Sequence, residues 1–224
     1  MALVWHVAFA RSYGVAVVHV TAALLGLTVW VIYVADRLLD AARGEVTMRH
    51  AFHGRHRRSF LVAMSVALVV AVVLTLQVER RLLMFGAMML CLSLAYGWLV
   101  HRRVFRVPKE ALCGAVFSVG VLAPLFVVPL PWVSMVLFGT VCAANCVVIS
   151  FAEGEIPEKY GKWIGVGLLV LVGLGVFAGG VIHLVMVGSS IGLLGLHYAQ
   201  LPREVKRVLA DVVLLTPVLA WSWL

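Results

Sequence analysis

Apolar residues run along this chain in long unbroken stretches, separated by short polar ones. Runs of about 20 residues match α-helices that cross a bilayer. The alternation of a membrane barrel strand is absent, and a helix satisfies its own backbone polar groups where no water reaches. The first stretch, Ala2 to Ala10, is too short to span and predicts a partial helix. The next helix is predicted from about Tyr13 to Leu39. After a basic loop from Ala41 to Ser59, further spans are predicted over 60–78, 82–100, 111–129, 132–152, 163–182, 183–199 and 208–224. With the N-terminal stretch this gives nine transmembrane or partial segments: an all-α polytopic membrane bundle of about eight or nine helices, in one domain over 1–224. A cleaved secretory leader is the weaker reading of the first stretch. Ala8-Phe9-Ala10 imitates a cleavage site, but no basic region precedes the short apolar core.

The polar positions orient this bundle. Alternating the spans puts four loops on one side: 41–59, 101–110, 153–162 and 200–207. Together with Arg37 they carry 15 of the 18 lysines and arginines, leaving Arg11, Arg80 and Arg81 elsewhere. Positive residues concentrate in cytoplasmic loops, so those four loops are expected in the cytoplasm, the membrane being of the bacterial inner-membrane type. Trp30, Trp98, Trp132, Trp163, Trp221 and Trp223 fall near span ends, as an interfacial belt requires.

Composition supports this picture. The chain has 224 residues, 63% hydrophobic and 12% charged, with a mean hydropathy of +1.07. Soluble domains are roughly 45–50% apolar and about 25% charged. A soluble globular enzyme, a disordered tail and a disulfide scaffold are excluded. The net charge of +8 reflects orientation rather than nucleic-acid binding, since the bases sit in short loops between apolar runs. Cys91, Cys113, Cys142 and Cys146 all lie inside apolar runs without a zinc-site spacing, and read as small packing residues.

The acids carry the candidate chemistry. Nine of the ten lie at or near the cytoplasmic side, Glu79 being the exception. Asp36 and Asp40, in Tyr33-Val-Ala-Asp36-Arg37-Leu-Leu-Asp40, are four residues apart and share a helix face at the membrane boundary. Carboxylates there are costly unless they meet a polar cavity, a partner or a metal. On adjacent turns they can hold a hard cation such as Mg²⁺, which also accepts diphosphate oxygens. The plainer alternative pairs Arg37 with Asp40. A second group, Glu153, Glu155 and Glu158, follows the run 132–152, which contains the polar residues Asn145 and Ser150; a solvated loop is its plainer reading. Two acidic helix ends ringed by Arg and Lys suit a metal-bridged diphosphate.

At this point the chain resembles the UbiA-type membrane prenyltransferases, nine-helix bundles with two Asp-rich motifs on cytoplasmic helix ends. Asp36-Arg37-Leu-Leu-Asp40 is similar to the Asp-x-x-x-Asp that closes the first family motif. Tyr96-Gly-Trp-Leu-Val-His-Arg102-Arg103, then Lys109 and Gly114-Ala-Val-Phe-Ser-Val-Gly120, look like the family's Tyr–basic loop and the helix after it. The second motif, roughly Asp-x-x-x-Asp-x-Lys-x-Gly, aligns on Lys159 and Gly161. That puts Glu153 at its first acid and Pro157 at its last, with Glu155 between. The likeness extends from about residue 14 to 224. The chain differs in having Ile32 at the family's Asn, and Arg49-His50-Ala-Phe-His53-Gly-Arg55-His56-Arg57-Arg58 in place of its Arg-Pro segment.

The resemblance implies Mg²⁺-dependent prenyl transfer from a prenyl diphosphate to a lipophilic acceptor, within membrane lipid. It implies metal ligation by Asp36, Asp40, Glu153 and Glu155. Arg37, Arg102, Arg103, Lys109 and Lys159 would bind the diphosphate, and Tyr96 would face the allylic carbon, where a ring stabilises cationic charge. A protein partner or a homo-oligomer fits the short first helix. Two alternatives stand beside it. One is a non-catalytic lipid-binding or structural subunit, for which Ile32 and Pro157 argue. The other is a di-iron oxygenase built on His50, His53 and His56, to which only His101 and His197 could add ligands. Those histidines otherwise belong to a basic loop meeting anionic headgroups or to a diphosphate clamp. Asp211 is expected to pair with Arg207 at four residues' spacing, and His183 to mark the turn between two spans.

Overall fold

The computed structural model describes residues 1–42, 52, 55–101, 109–125 and 132–224. Among them every regular element is a helix: α1 Ala2–Ser12, α2 His19–Ala42, α3 Arg57–Thr75, α4 Arg80–His101, α5 Lys109–Leu122, α6 Trp132–Glu153, α7 Gly161–Ala178, α8 Val181–Tyr198, α9 Arg203–Val213 and α10 Thr216–Leu219. Short 3-10 turns cover Ala123–Leu125 and Glu158–Tyr160. Five stretches are long and apolar enough to cross a membrane: His19–Leu39, Arg57–Thr75, Trp132–Glu153, Glu158–Ala178 and Val181–Tyr198. This is what an integral membrane protein requires. Apolar residues on these helices such as Val69, Leu169, Val170 and Phe177 are exposed, as side chains facing lipid would be.

The chain forms two compact units. One comprises Leu3–Ala16 and Met84–Leu224, the other Val17–Leu83. In the second, α2 packs on α3, with Val34, Leu38 and Ala67 buried.

The first unit is organised around α6, which contacts α5, α7, α8 and α9. At about 1.5 Å rise per residue its 22 residues reach some 33 Å, close to the thickness of a bilayer core. Val148, Leu168, Leu193 and Ala210 bring α6, α7, α8 and α9 to one core. Helices in lipid gain little from the hydrophobic effect between them and associate through close packing. Gly114 of α5 supplies it: a Cβ there would stand 2.3 Å from the Gly139 carbonyl oxygen and 2.7 Å from the Ala143 nitrogen.

The short α1 is packed inside, with Trp5, His6, Ala8, Phe9 and Ala10 all buried. Trp5 and Phe9 set their rings 4.6 and 5.2 Å from Phe138, and the His6 ring donates to the Val121 carbonyl at 3.0 Å.

Four sequence expectations change. The helix expected from Tyr13 starts at His19, because α1 extends to Ser12 and turns through Gly14 at φ 64°. The span expected over 111–129 is helical only to Leu122, followed by the turn at Ala123–Leu125; 126–129 lie outside the described residues. The run 208–224 is not one helix. It begins at Arg203 and breaks between Val213 and Thr216, where Pro217 has no N–H to continue the ladder. The turn expected at His183 is made by Gly179 and Gly180, at φ 66° and 81°, values that L side chains resist; His183 lies in the first turn of α8.

Candidate functional site

The polar end of the first unit is built where α6 stops. Gly154, at φ 82°, closes the helix in the left-handed conformation usual after a helix end. The Gly154 and Glu155 amides donate back to Phe151 and Ser150 at 3.1 and 3.0 Å. That tight turn throws Glu153 and Glu155 to different neighbours. Glu155 accepts from Lys109, the first residue of α5, at 2.5 Å, both side chains being about half exposed. Glu153 accepts from Arg207 of α9 at 2.6 Å, and the same guanidinium donates to Glu204 at 2.7 Å. Beside them Glu110, only 9% exposed, accepts from the Ser150 hydroxyl at 3.1 Å.

Burial pushes the Lys109 ammonium toward losing its proton. Its hydrogen bond to Glu155 and the negative charges of Glu155, Glu110 and Glu153 outweigh this, so its pKa is raised above the ordinary lysine value. A few residues on, buried His197 donates from Nε2 to the Gly161 carbonyl at 2.8 Å, and Lys206 donates to the His197 carbonyl at 3.3 Å. Lys159 sits 5.1 Å from the ring of Tyr160.

Of the site residues read from sequence, the structure brings together Lys109 with Glu155. It sets Glu153 two residues before Glu155 along the same turn, and Lys159 in the 3-10 turn that follows. Asp36, Arg37 and Asp40 belong to the other unit, at the C-terminal end of α2. Asp36 is exposed, and Arg37 stands 5.2 Å from the ring of Tyr33. The side chains of Asp40 and Tyr96, and all of Arg102, Arg103, His50 and His53, lie outside the described residues. Asp211 is not the partner found for Arg207: Arg207 turns instead to Glu153 and Glu204, and Asp211 is exposed.

Glu110 was not singled out in the sequence, while Arg207 and Ser150 were named there without these partners. The Glu204–Arg207 spacing of three was visible along the helix. The link to Glu153, 54 residues away in the chain, had no local signal.

Among the described residues no group of three or more His, Cys, Asp or Glu is disposed to hold a metal ion. Glu153 and Glu155 are each engaged by a base. Lys109 and Arg207 are offset by these glutamates, and Lys159 and Lys206 add two further bases at this end. No family model, curated protein or solved structure matches the chain.

Proposed function

We propose that this chain is an intramembrane prenyltransferase of the UbiA type, with eight or nine membrane or partial segments in a bacterial-type inner membrane and its basic loops in the cytoplasm. It moves an isoprenoid chain from a prenyl diphosphate to a lipophilic acceptor. The observation that most supports this is the change of character along α5. Lys109 and Glu110 open it within the charged cluster. Directly beyond, Ala111, Ala115 and Val119 form one wall of an apolar groove of about 320 Å³, faced by Val136, Gly139 and Ala143 of α6. An anionic head with an apolar tail matches that sequence of surfaces.

In this reading Lys109, Lys159, Arg37, Arg102 and Arg103 bind phosphate oxygens, and Tyr96 faces the allylic carbon. The apolar walls exclude the water that would quench a carbocation. Asp36 and Asp40, four residues apart on α2, would hold magnesium, which would supply neutralisation of the diphosphate leaving group. Glu153 and Glu155 then serve by positioning Arg207 and Lys109.

One finding favours a second reading. Because both glutamates are already paired with bases, the cluster also suits a non-catalytic lipid-binding subunit in which it simply staples helices. Turnover of a radiolabelled prenyl diphosphate, with and without Mg²⁺, separates the two. Transferase activity requires Mg²⁺ and falls at least about a hundredfold in Asp36→Ala. Activity that survives Asp36→Ala overturns the metal assignment, and failure of the wild type to bind any prenyl diphosphate at millimolar Mg²⁺ establishes the structural reading.

A further inference from the structure

A second polar cluster stands at the other end of α6, about 28 Å from Glu153 by helical rise. Ser134, third residue of that helix and 1% exposed, has its Oγ 2.5 Å from the Tyr13 hydroxyl and 2.7 Å from His183 Nε2. His183 Nδ1 meets the Gly179 carbonyl. A carbonyl only accepts, so Nδ1 carries the ring hydrogen. Nε2 then accepts from Ser134, and Ser134 accepts from Tyr13. This directed chain holds Tyr13 and His183 as walls of a cavity of about 320 Å³, which is also lined by Arg11, Ser12 and the Gly179–Gly180 turn.

Two separate features make that cavity receptive to an anion. Arg11 donates one of its five N–H groups to the Trp221 carbonyl at 3.2 Å and stacks 4.1 Å from the Trp221 ring, so its fork is held in place while most donors remain for a ligand. The 18-residue α8 starts at Val181 with no side-chain cap, and Val181 and Ile182, whose amides have no intrahelical acceptor, line the cavity. Its depth is set by the Gly179–Gly180 turn, which joins two candidate spans and therefore lies at headgroup level, away from the basic loops.

We infer that this cavity is a phosphate-binding site, taking the headgroup of an anionic phospholipid from the leaflet opposite the basic loops. Free phosphate carries the same chemistry, and the test distinguishes them. Purified protein in neutral detergent is titrated with short-chain phosphatidylglycerol and, separately, with inorganic phosphate, in wild type, Arg11→Gln, Arg11→Lys and Arg203→Gln. Saturable lipid binding is expected, weakened about tenfold or more in Arg11→Gln, a few-fold in Arg11→Lys, and unchanged in Arg203→Gln, the same charge change on α9 at the other end of the unit. Arginine-dependent binding of inorganic phosphate at equal strength identifies free phosphate as the ligand of the same site. Absence of saturable binding to either probe overturns the inference, as does equal weakening by Arg11→Gln and Arg203→Gln. Should Arg11→Gln not fold, Arg11→Lys decides: unchanged affinity in a folded Arg11→Lys protein, which keeps the charge but loses the planar fork, refutes the site.

Discussion

Arg207 and Glu153 join the start of α9 to the last residue of α6 across 2.6 Å, with the arginine side chain only 13% exposed. A guanidinium removed from water needs its counter-charges. Glu204 supplies a second one from the same helix, at 72% exposure and therefore well screened. Arg207→Ala strips Glu153 of its partner and is expected to cost about 2 kcal/mol, toward the lower side for a half-buried pair. Glu153→Ala is expected to cost about half as much, because Glu204 still faces the arginine. Denaturant unfolding in detergent measures both, and the double variant should show a coupling of about 1 kcal/mol. If Glu204→Ala proves as costly as Glu153→Ala, the link between helices is not what Arg207 contributes.

Lys109 and Glu155 form the exposed counterpart of that pair. Folding raises the lysine pKa, so the stability it contributes is fully present below the ordinary lysine value of about 10.4 and is lost as pH rises through the higher folded value. With both partners about half exposed, the contribution is a few tenths of a kcal/mol. Lys109→Gln is therefore expected to lower the melting temperature by about 1–2 °C at neutral pH, with the difference vanishing in strongly alkaline buffer. A difference that persists at high pH would trace to the helix terminus rather than to the ion pair.

How much of this could be read in the sequence follows from what each feature depends on. The runs behind α2, α3, α6, α7 and α8 are set by local composition, which a single pass along the chain reveals. The glycine pair Gly179–Gly180 and the imino acid Pro217 were equally visible as breakers, but continuous apolar surroundings masked them. The charged cluster was legible only as a list of candidates at helix ends. Which base meets which acid depends on how α5 and α9 arrive beside α6, and that is fixed by packing: Gly114 at the α5–α6 crossing and Ala210 in the core. The polar chain of Tyr13, Ser134 and His183 draws one residue from each of three distant segments, so no spacing rule would assemble it.

Gly114 marks that crossing as a place where nothing larger fits. The atoms a new Cβ would strike are backbone, the Gly139 oxygen at 2.3 Å and the Ala143 nitrogen at 2.7 Å, and cannot rotate away. Gly114→Ala is expected to destabilise by about 1–3 kcal/mol and to part α5 from α6. Gly167→Ala, with no atom within 4 Å of its new Cβ, should be neutral or up to about 1 kcal/mol stabilising, since alanine suits a helix better. Thermal unfolding of the two variants side by side is the measurement. Equal behaviour would mean that α5 and α6 are not held at this distance.

Trp5 reaches from α1 to the break between α9 and α10, its indole N–H donating to the Leu214 carbonyl at 2.7 Å. A carbonyl freed at a helix end needs a donor, and inside a bilayer water cannot serve. Pro217 alone would interrupt the helix, so two causes coincide at this point. They can be separated. Trp5→Phe keeps most of the ring packing on Phe138 but leaves the Leu214 oxygen stranded, at an expected cost of about 1–3 kcal/mol. Trp5→Ala adds a cavity and should cost about 3–5 kcal/mol. If the break is maintained mainly by proline and merely made tolerable by the indole, adding Pro217→Ala to Trp5→Phe lets the helix continue through Leu214. That would satisfy its carbonyl internally and restore much of the lost stability. Should the double variant stay as unstable as Trp5→Phe alone, the interruption is imposed by the surrounding contacts, with the Ser189–Thr216 hydroxyl pair at 2.6 Å the first to remove next.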